Sequence, residues 1–244
     1  MSIDDRTTKA LGIKVMTQLR LLQFCIVGCG GTGANFAEML VRTGATKLVL
    51  IDGAKVNCTD LNRVSSFYEI DCGDSKAEVL KRRLISIRKG LEIHVLTDNF
   101  RMCQNILPGQ SGQTVRDAVY NADVVFIGTD RNTSRLAIEK LCREKLKGMF
   151  LSCGVLVDHD SGIFELECAW SPATPAERVN DAGYGPVNAS YASIVYEATA
   201  MAFTMLLSHL RCPDSDFKAY RRIYDSSLRP IDTFINGKSS GSKL

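Results

Sequence analysis

The chain has 244 residues, 45% hydrophobic and 23% charged, with 30 basic against 27 acidic side chains and a formal net charge of +3. Such a composition is that of an ordinary globular chain and excludes a disordered or collagen-like one. The charge excess is too small to argue for nucleic acid by itself. No apolar run reaches the roughly 18–20 residues that cross a bilayer. Met1-Ser2-Ile3-Asp4-Asp5 lacks the basic-then-apolar pattern of a secretory leader, so no membrane partner is expected. The nine cysteines are odd in number and include no Cys-x-x-Cys pair. They read as thiols of a reducing compartment, and the usual knuckle for structural zinc is missing.

Thr8 to Arg20 predicts a short amphipathic helix. Gln23 to Gly28 follows as a continuous apolar strand of the kind found in a sheet covered on both faces. Gly28 to Gly33 reads as a turn, and a helix from about Ala34 to Thr43 places Phe36, Met39, Leu40 and Thr43 on one face. Lys47 to Asp52 is the second strand, Lys76 to Gly90 a helix with a stripe of Val79, Leu80, Leu84 and Ile87, and Ile93 to Leu96 the third strand. Ala122 to Gly128, Asn132 to Leu146 and Phe150 to Gly154 continue the rhythm as strand, helix and strand. This predicts an α/β fold: three layers, a mostly parallel Rossmann-like sheet and right-handed crossovers.

The rhythm then changes. Gly162 to Trp170 alternates as a longer strand, antiparallel or at the sheet edge. Ser171 to Asn188 holds Pro172, Pro175 and Pro186 without any period and predicts a crossing loop. Ala192 to Leu210 is the longest helix candidate, apolar on nearly every side and interrupted by Glu197. Phe217 to Tyr224 predicts a last strand, and the polar 237–244 tail is expected to be disordered. The antiparallel part forms a C-terminal extension of a single domain over 1–236: a nucleotide-binding half at about 20–154, the crossing loop at 171–188, and helix and strand at about 190–225.

Gly28-Cys29-Gly30-Gly31-Thr32-Gly33 stands between a buried strand and a helix. Glycines there tighten the turn, bring backbone close to a ligand and leave a helix N-terminus open to phosphate. Asp52 ends the next strand, where a carboxylate can bind ribose hydroxyls. These residues point to a nucleotide without saying which. With no Gly-Lys-Ser/Thr, the turn is not a Walker-type loop.

The stretch Asp52-Gly-Ala-Lys-Val56-Asn-Cys-Thr-Asp60-Leu61-Asn62-Arg63, followed by Gly73-Asp-Ser-Lys76-Ala77-Glu78, resembles the adenylating domain of the ubiquitin-activating (E1-like, ThiF–MoeB–HesA) superfamily. The resemblance rests on a Gly-x-Gly-Gly-x-Gly turn, an Asp-x-Asp, an Asn-Leu-x-Arg and a Gly-x-x-Lys-Ala, and runs from about Gln23 to Gly154. It implies that Gly28, Gly30, Gly31 and Gly33 cradle ATP, that Asp52 holds the ribose, and that Asn62, Arg63 and Lys76 line the phosphates. Asp130 would hold Mg2+, and Arg63, Lys76 and Asp130 would carry catalysis. Arg6 is the one candidate for an arginine reaching a partner subunit's site. The implied cofactors are ATP and Mg2+. The implied partners are a second copy of the chain and a ubiquitin-like or sulfur-carrier protein ending in Gly-Gly, whose terminal carboxylate is adenylated with release of pyrophosphate.

The chain also departs from the family. Asp60 stands where asparagine is usual, and a carboxylate there repels phosphate unless the ion or Arg63 offsets it. Ala54 replaces the second acid of Asp-x-Asp, and the family's four zinc cysteines are missing. Cys168, alternating with Phe164 and Leu166, reads as packing rather than nucleophile, whereas Cys29 and Cys153 are expected near the site and sensitive to inhibitors. Three alternatives stay open. One is a tRNA-modifying dehydratase with Lys81-Arg82-Arg83 and Arg221-Arg222 as a basic patch; another is an NAD-dependent oxidoreductase using Asp52; the third is a scaffold that lost turnover. The default compartment is the cytoplasm, while the terminal Ser242-Lys243-Leu244 equals a peroxisomal address if the source is eukaryotic.

Overall fold

A computed structural model of the chain describes residues 2–97, 115–129, 132–144, 149–158, 163–170, 190–236 and 238–239. In chain order the elements are α1 (Asp5–Leu11), α2 (Ile13–Leu21), β1 (Gln23–Val27), α3 (Gly31–Thr43), β2 (Lys47–Ile51), α4 (Lys76–Ile87), β3 (Glu92–Leu96), α5 (Val115–Asn121), β4 (Val124–Ile127), α6 (Asn132–Glu144), β5 (Met149–Asp158), β6 (Ile163–Trp170), α7 (Ala192–Arg211), β7 (Ala219–Tyr224), β8 (Pro230–Ile235) and β9 (Lys238–Ser239).

The strands form one sheet in the order β3-β2-β1-β4-β5-β6-β7-β8-β9. β1 to β5 pair in parallel, and every later pairing is antiparallel. Period-two alternation sends side chains of each buried strand to two separate cores. Phe24, Ile26, Leu48, Leu50 and Phe126 join α3 and α7 on one face, while Cys25, Val27, Val49, Ile51 and Ile127 join α5 and α6 on the other. Phe36 of α3 stacks on Phe126 with ring centroids 4.0 Å apart, and Phe203 of α7 meets Phe36 edge-on at 5.8 Å. Both arrangements suit the aromatic quadrupole. Among the described residues no helix is long and apolar enough to cross a membrane.

The α/β architecture with its antiparallel extension is as the sequence predicts, but several elements differ. The first helix is two: Gly12, at φ 83 and ψ 158, breaks it. Two 3-10 turns, Cys58–Asp60 and Glu69–Asp71, and helix α5 lack a readable period and are additions. β5 does not stop at Gly154 but runs to Asp158 and pairs with β6. β6 is antiparallel yet internal, because β7 covers its other side. Nor is β7 the last strand: β8 and β9 follow, and Lys238–Ser239 of the polar tail pairs with β8. The crossing loop expected at 171–188 lies outside the described residues.

The N-terminal segment is fastened electrostatically. Asp4, 5% exposed, accepts from Arg20 at 2.9 Å and from Arg88 at 3.1 Å and by a second, shorter bond. Arg88 also donates to the Val41 carbonyl at 3.1 Å. Hydrogen bonding to Arg88 holds the Asp4 carboxyl below its ordinary 3.8. Removing one partner of a largely buried pair strands the other charge, so Asp4→Asn is expected to lose about 2–3 kcal/mol of stability at pH 7. A lowered native pKa adds stability that is complete above the unfolded value and disappears as pH falls through the native one. The gap between wild type and variant, read by urea unfolding, should therefore be full at neutral pH and close as pH drops below 3.8.

Candidate nucleotide site

In an open parallel sheet, ligands bind beyond the carboxyl ends of the strands where the strand order reverses. Here that point lies between β1 and β4, since β2 flanks β1 on one side and β4 on the other. The glycine turn leaves β1 there. Gly28 has φ +92, and a Cβ on it would stand 2.9 Å from the Gly128 carbonyl carbon at the end of β4. Gly28 donates to the Ile51 carbonyl at 2.8 Å and Gly128 to the Val27 carbonyl at 2.9 Å, locking the ends of β1, β2 and β4 together. Gly30 is the N-cap of α3, so the helix starts at Gly31, earlier than the sequence predicts, and Gly31 and Gly33 belong to its first turn. A Cβ on Gly33 would come within 1.7 Å of the Gly28 carbonyl oxygen, whereas one on Gly30 would meet nothing within 4 Å. Gly33 therefore serves the turn, and Gly30 leaves room beside it.

Asp52 lies just past β2. Its Oδ2 accepts the Cys29 backbone N–H at 2.7 Å and its Oδ1 accepts that of Ala54 at 2.7 Å. These two bonds fix the orientation of the Asp52 carboxylate beside the glycine turn.

The charges gather on Asp60, which is only 2% exposed. Its Oδ1 lies 3.1 Å from Arg63 Nη2 and its Oδ2 lies 2.9 Å from Lys76 Nζ. Asp60 also closes the 3-10 turn by accepting the Asn57 backbone N–H at 2.9 Å, while Asn57 caps Thr59 in return. Lys76 opens α4 and is brought over by its N–H to the Ala54 carbonyl at 3.0 Å and by a bridge between Lys55 and Ser75. Arg63 bonds the Thr59 carbonyl at 2.7 Å, and its stem passes within 3.3 Å of the Cβ position of Gly31. Two cations and one carboxylate thus form a half-buried cluster against the glycine turn, with one positive charge in excess. The repulsion expected of Asp60 is offset by both Arg63 and Lys76.

Apart from Asn62, the residues that hold this cluster and the strand ends beside it in place escape sequence reasoning. Asn35 of α3 donates to the Arg63 carbonyl at 2.9 Å and accepts the Ser65 hydroxyl at 3.1 Å. Glu38 accepts Ser65 at 2.9 Å and Ser66 at 2.6 Å, and against burial the Ser66 hydroxyl, Arg42 and the Ser65 hydroxyl hold its carboxyl down. Asn62 reaches the Ser190 carbonyl at 2.9 Å, which ties the Arg63 segment to the approach of α7. Arg135 of α6 binds the Thr129 and Cys153 carbonyls and the Ser152 hydroxyl. None of these pairs lies within one element, so no local period announces them; only a cation in the first turn of the helix after β4 hinted at Arg135.

The sequence profile of the ThiF family matches residues 5–184. The chain belongs to the ThiF family. Its similarity to two curated relatives agrees: it is 33% identical over 147 residues to ubiquitin-like modifier-activating enzyme 5 of Drosophila persimilis, covering 57% of this chain and 37% of that one. For the Gallus gallus protein of the same name the figures are 30% over 167 residues, 65% and 40%. The chain thus spans well under half the length of these relatives. Among solved structures, Escherichia coli MccB with ATP superposes at a TM-score of 0.71 with 17% identity, over 100% of this chain and 73% of MccB. PaaA superposes at 0.67 with 14% identity, over 93% and 68%. At these identities the likeness is one of fold.

Within this ThiF-family chain the structure gathers Gly28, Gly30, Gly31, Gly33, Asp52, Asn62, Arg63 and Lys76 around the switch point, and Asp130 lies outside the described residues. Arg6 is exposed on α1 and forms no ion pair among the described residues. Cys29 and Cys153 are fully buried, and burial above all pushes the Cys29 thiol up, so the expected inhibitor sensitivity is corrected for both. Cys168 is a packing residue as read, with its Sγ 3.2 Å from the Ala198 carbonyl. The arginines of the basic patches are largely neutralised. Arg221 pairs with Glu165, Arg222 with Glu197, and Arg82 and Arg83 with Asp71.

Proposed function

We propose that this chain catalyses ATP-dependent adenylation of a carboxylate, that of the C-terminal glycine of a ubiquitin-like or sulfur-carrier protein. The observation that carries this reading is the convergence of Arg63 and Lys76, from separate segments, on one point beside the glycine turn and Asp52. The donor set fits a nucleotide triphosphate: open space at Gly30, an oriented carboxylate for the sugar, and two cations for the phosphates.

When bound with Mg2+, ATP supplies an α-phosphorus that the substrate carboxylate attacks, with pyrophosphate leaving. In this reading Arg63 and Lys76 bind the phosphates and offset the charge that grows as pyrophosphate departs. Asp60 holds the two cations in position beforehand, so that little reorganisation is needed at the moment of reaction. Asp52 orients the nucleoside through its ribose, and Asp130 is the proposed holder of the metal ion. Two likenesses lend support: the relatives are modifier-activating enzymes, and MccB has been crystallised with ATP. A homodimer, with Arg6 reaching across it, belongs to the same proposal.

ATP–pyrophosphate exchange with Mg2+ tests the proposal, run with Gly-Gly-ended ubiquitin-like proteins and, separately, with unfractionated tRNA. Exchange stimulated by a Gly-Gly protein and lost in Asp130→Ala is the expected result. Stimulation by tRNA alone would replace it with the dehydratase reading. Silence in every lane with ATP still bound would replace it with the scaffold reading.

A further inference from the structure

Two cysteines that the nucleotide site does not use face each other beside it. Cys58 opens the 3-10 turn that ends on Asp60, Cys72 follows the turn that ends on Asp71, and their Sγ atoms are 2.7 Å apart. Cys58 is exposed and Cys72 half-buried. A second close pair among the described residues, Cys153 and Cys168 at 3.6 Å, is fully buried in the core.

The frame beneath the exposed pair is rigid. Val56 and Gly73 run antiparallel, the Val56 N–H reaching the Asp74 carbonyl at 2.8 Å and the Gly73 N–H reaching the Val56 carbonyl at 2.9 Å. On one side Asn57 and Asp60 cap each other's backbone. On the other, buried Asp71 is held by Arg83 at 2.7 Å. Both sulfurs are therefore presented to each other from backbone that is already hydrogen-bonded in place.

We propose that Cys58 and Cys72 are a reversible dithiol–disulfide site that takes low-molecular-weight disulfides, and whose closure clamps the segment carrying Asp60. The two sulfurs are not equivalent. Cys58 is exposed and Cys72 half-buried, so Cys58 is the sulfur that a soluble disulfide reaches first and the attacking one. The Cys58 thiolate attacks one sulfur of glutathione disulfide, forming a mixed disulfide and releasing one glutathione thiolate. Cys72, on losing its proton, attacks the Cys58 sulfur and expels the second glutathione. The protein pair loses two electrons and two protons, and glutathione disulfide is reduced to two glutathiones.

Because the bridge closes a loop between residues fourteen apart, it constrains the unfolded chain and should raise the melting temperature. It also joins the segment that carries Asp60 and Arg63 to the one that leads into Lys76. This chemistry does not depend on the adenylation reading, and its test needs no activity.

The full chain is incubated with glutathione disulfide, then digested without reduction and mapped by mass spectrometry. A Cys58–Cys72 cross-linked peptide that dithiothreitol reverses is expected, together with a melting temperature several degrees above the reduced form. Cys58→Ser should give neither. Cys72→Ser should stop at a glutathione adduct on Cys58, which also shows that the site is reached in a folded protein. Stable glutathione on either cysteine of the wild type without a cross-link would overturn the site. A cross-link that leaves the melting temperature unchanged would overturn the clamp.

Discussion

Gly33→Ala is expected to unseat the first turn of α3 and weaken nucleotide binding severely. The added Cβ would lie 1.7 Å from the Gly28 carbonyl oxygen and 2.9 Å from its carbon. Both atoms are backbone, and Gly28 is itself bonded to Ile51, so no rotamer relieves the clash. Overpacking costs about 1–3 kcal/mol where side chains can shift; with the Gly28 backbone as the obstacle the cost should reach or exceed the upper end. For a domain of this size that is a melting temperature roughly 10 °C lower. Nucleotide affinity should fall more than about 100-fold, because the helix start and the strand end no longer present one surface. Gly30→Ala is the matched control. Gly30 has φ −84 and open space around its Cβ position, so alanine there should leave the melting temperature within a degree or two of wild type. Calorimetric titration with ATP then separates the two roles. Weaker binding by a stable Gly30→Ala would place phosphate beside that residue. Wild-type affinity in Gly33→Ala would remove the glycine turn from the site.

The parallel half of the sheet was legible because its strands are short apolar runs ending on glycine or aspartate, as at Val27 and Ile51. Glycine misled where it serves something other than punctuation. Gly154 looks like the end of a strand, but the ladder continues through Val155 and Leu156. Its missing side chain makes room for Arg135, whose guanidinium would lie 2.8 Å from a Cβ there. Gly12 was read through for the opposite reason, since the apolar period resumes in register on its far side. Pairwise chemistry between distant residues was the least legible. Asp60 could be flagged as a misplaced charge, yet nothing in the sequence showed that Lys76 would swing over to meet it. Asn35 and Glu38 looked like polar positions on a helix and turn out to anchor the Arg63 segment.

Lys76→Ala should lower kcat/KM for ATP–pyrophosphate exchange by about 10²–10³, the usual loss when one preorganised charge-stabilising donor is removed. The variant loses a cation, and it also leaves the buried Asp60 carboxylate shared with Arg63 alone. The cluster's single excess positive charge is gone, and phosphate meets a neutral pair. Asp60→Asn moves the balance the other way. The amide oxygen still accepts the Asn57 N–H, so the 3-10 turn survives, while both cations lose their anionic partner. The expected result is a KM for ATP several-fold lower and a melting temperature also lower, because two half-buried cations are then uncompensated until nucleotide arrives. The double variant Asp60→Asn/Lys76→Ala returns the excess to one positive charge. If charge balance governs the site, it should recover about tenfold of the exchange lost in Lys76→Ala, about 1.4 kcal/mol, and the coupling in the cycle is that recovery less the gain that Asp60→Asn gives alone. If Lys76 acts only through its own contact with the phosphates, the double variant will be as poor as the single one. Asp60 would then be a structural cap with no part in setting nucleotide affinity.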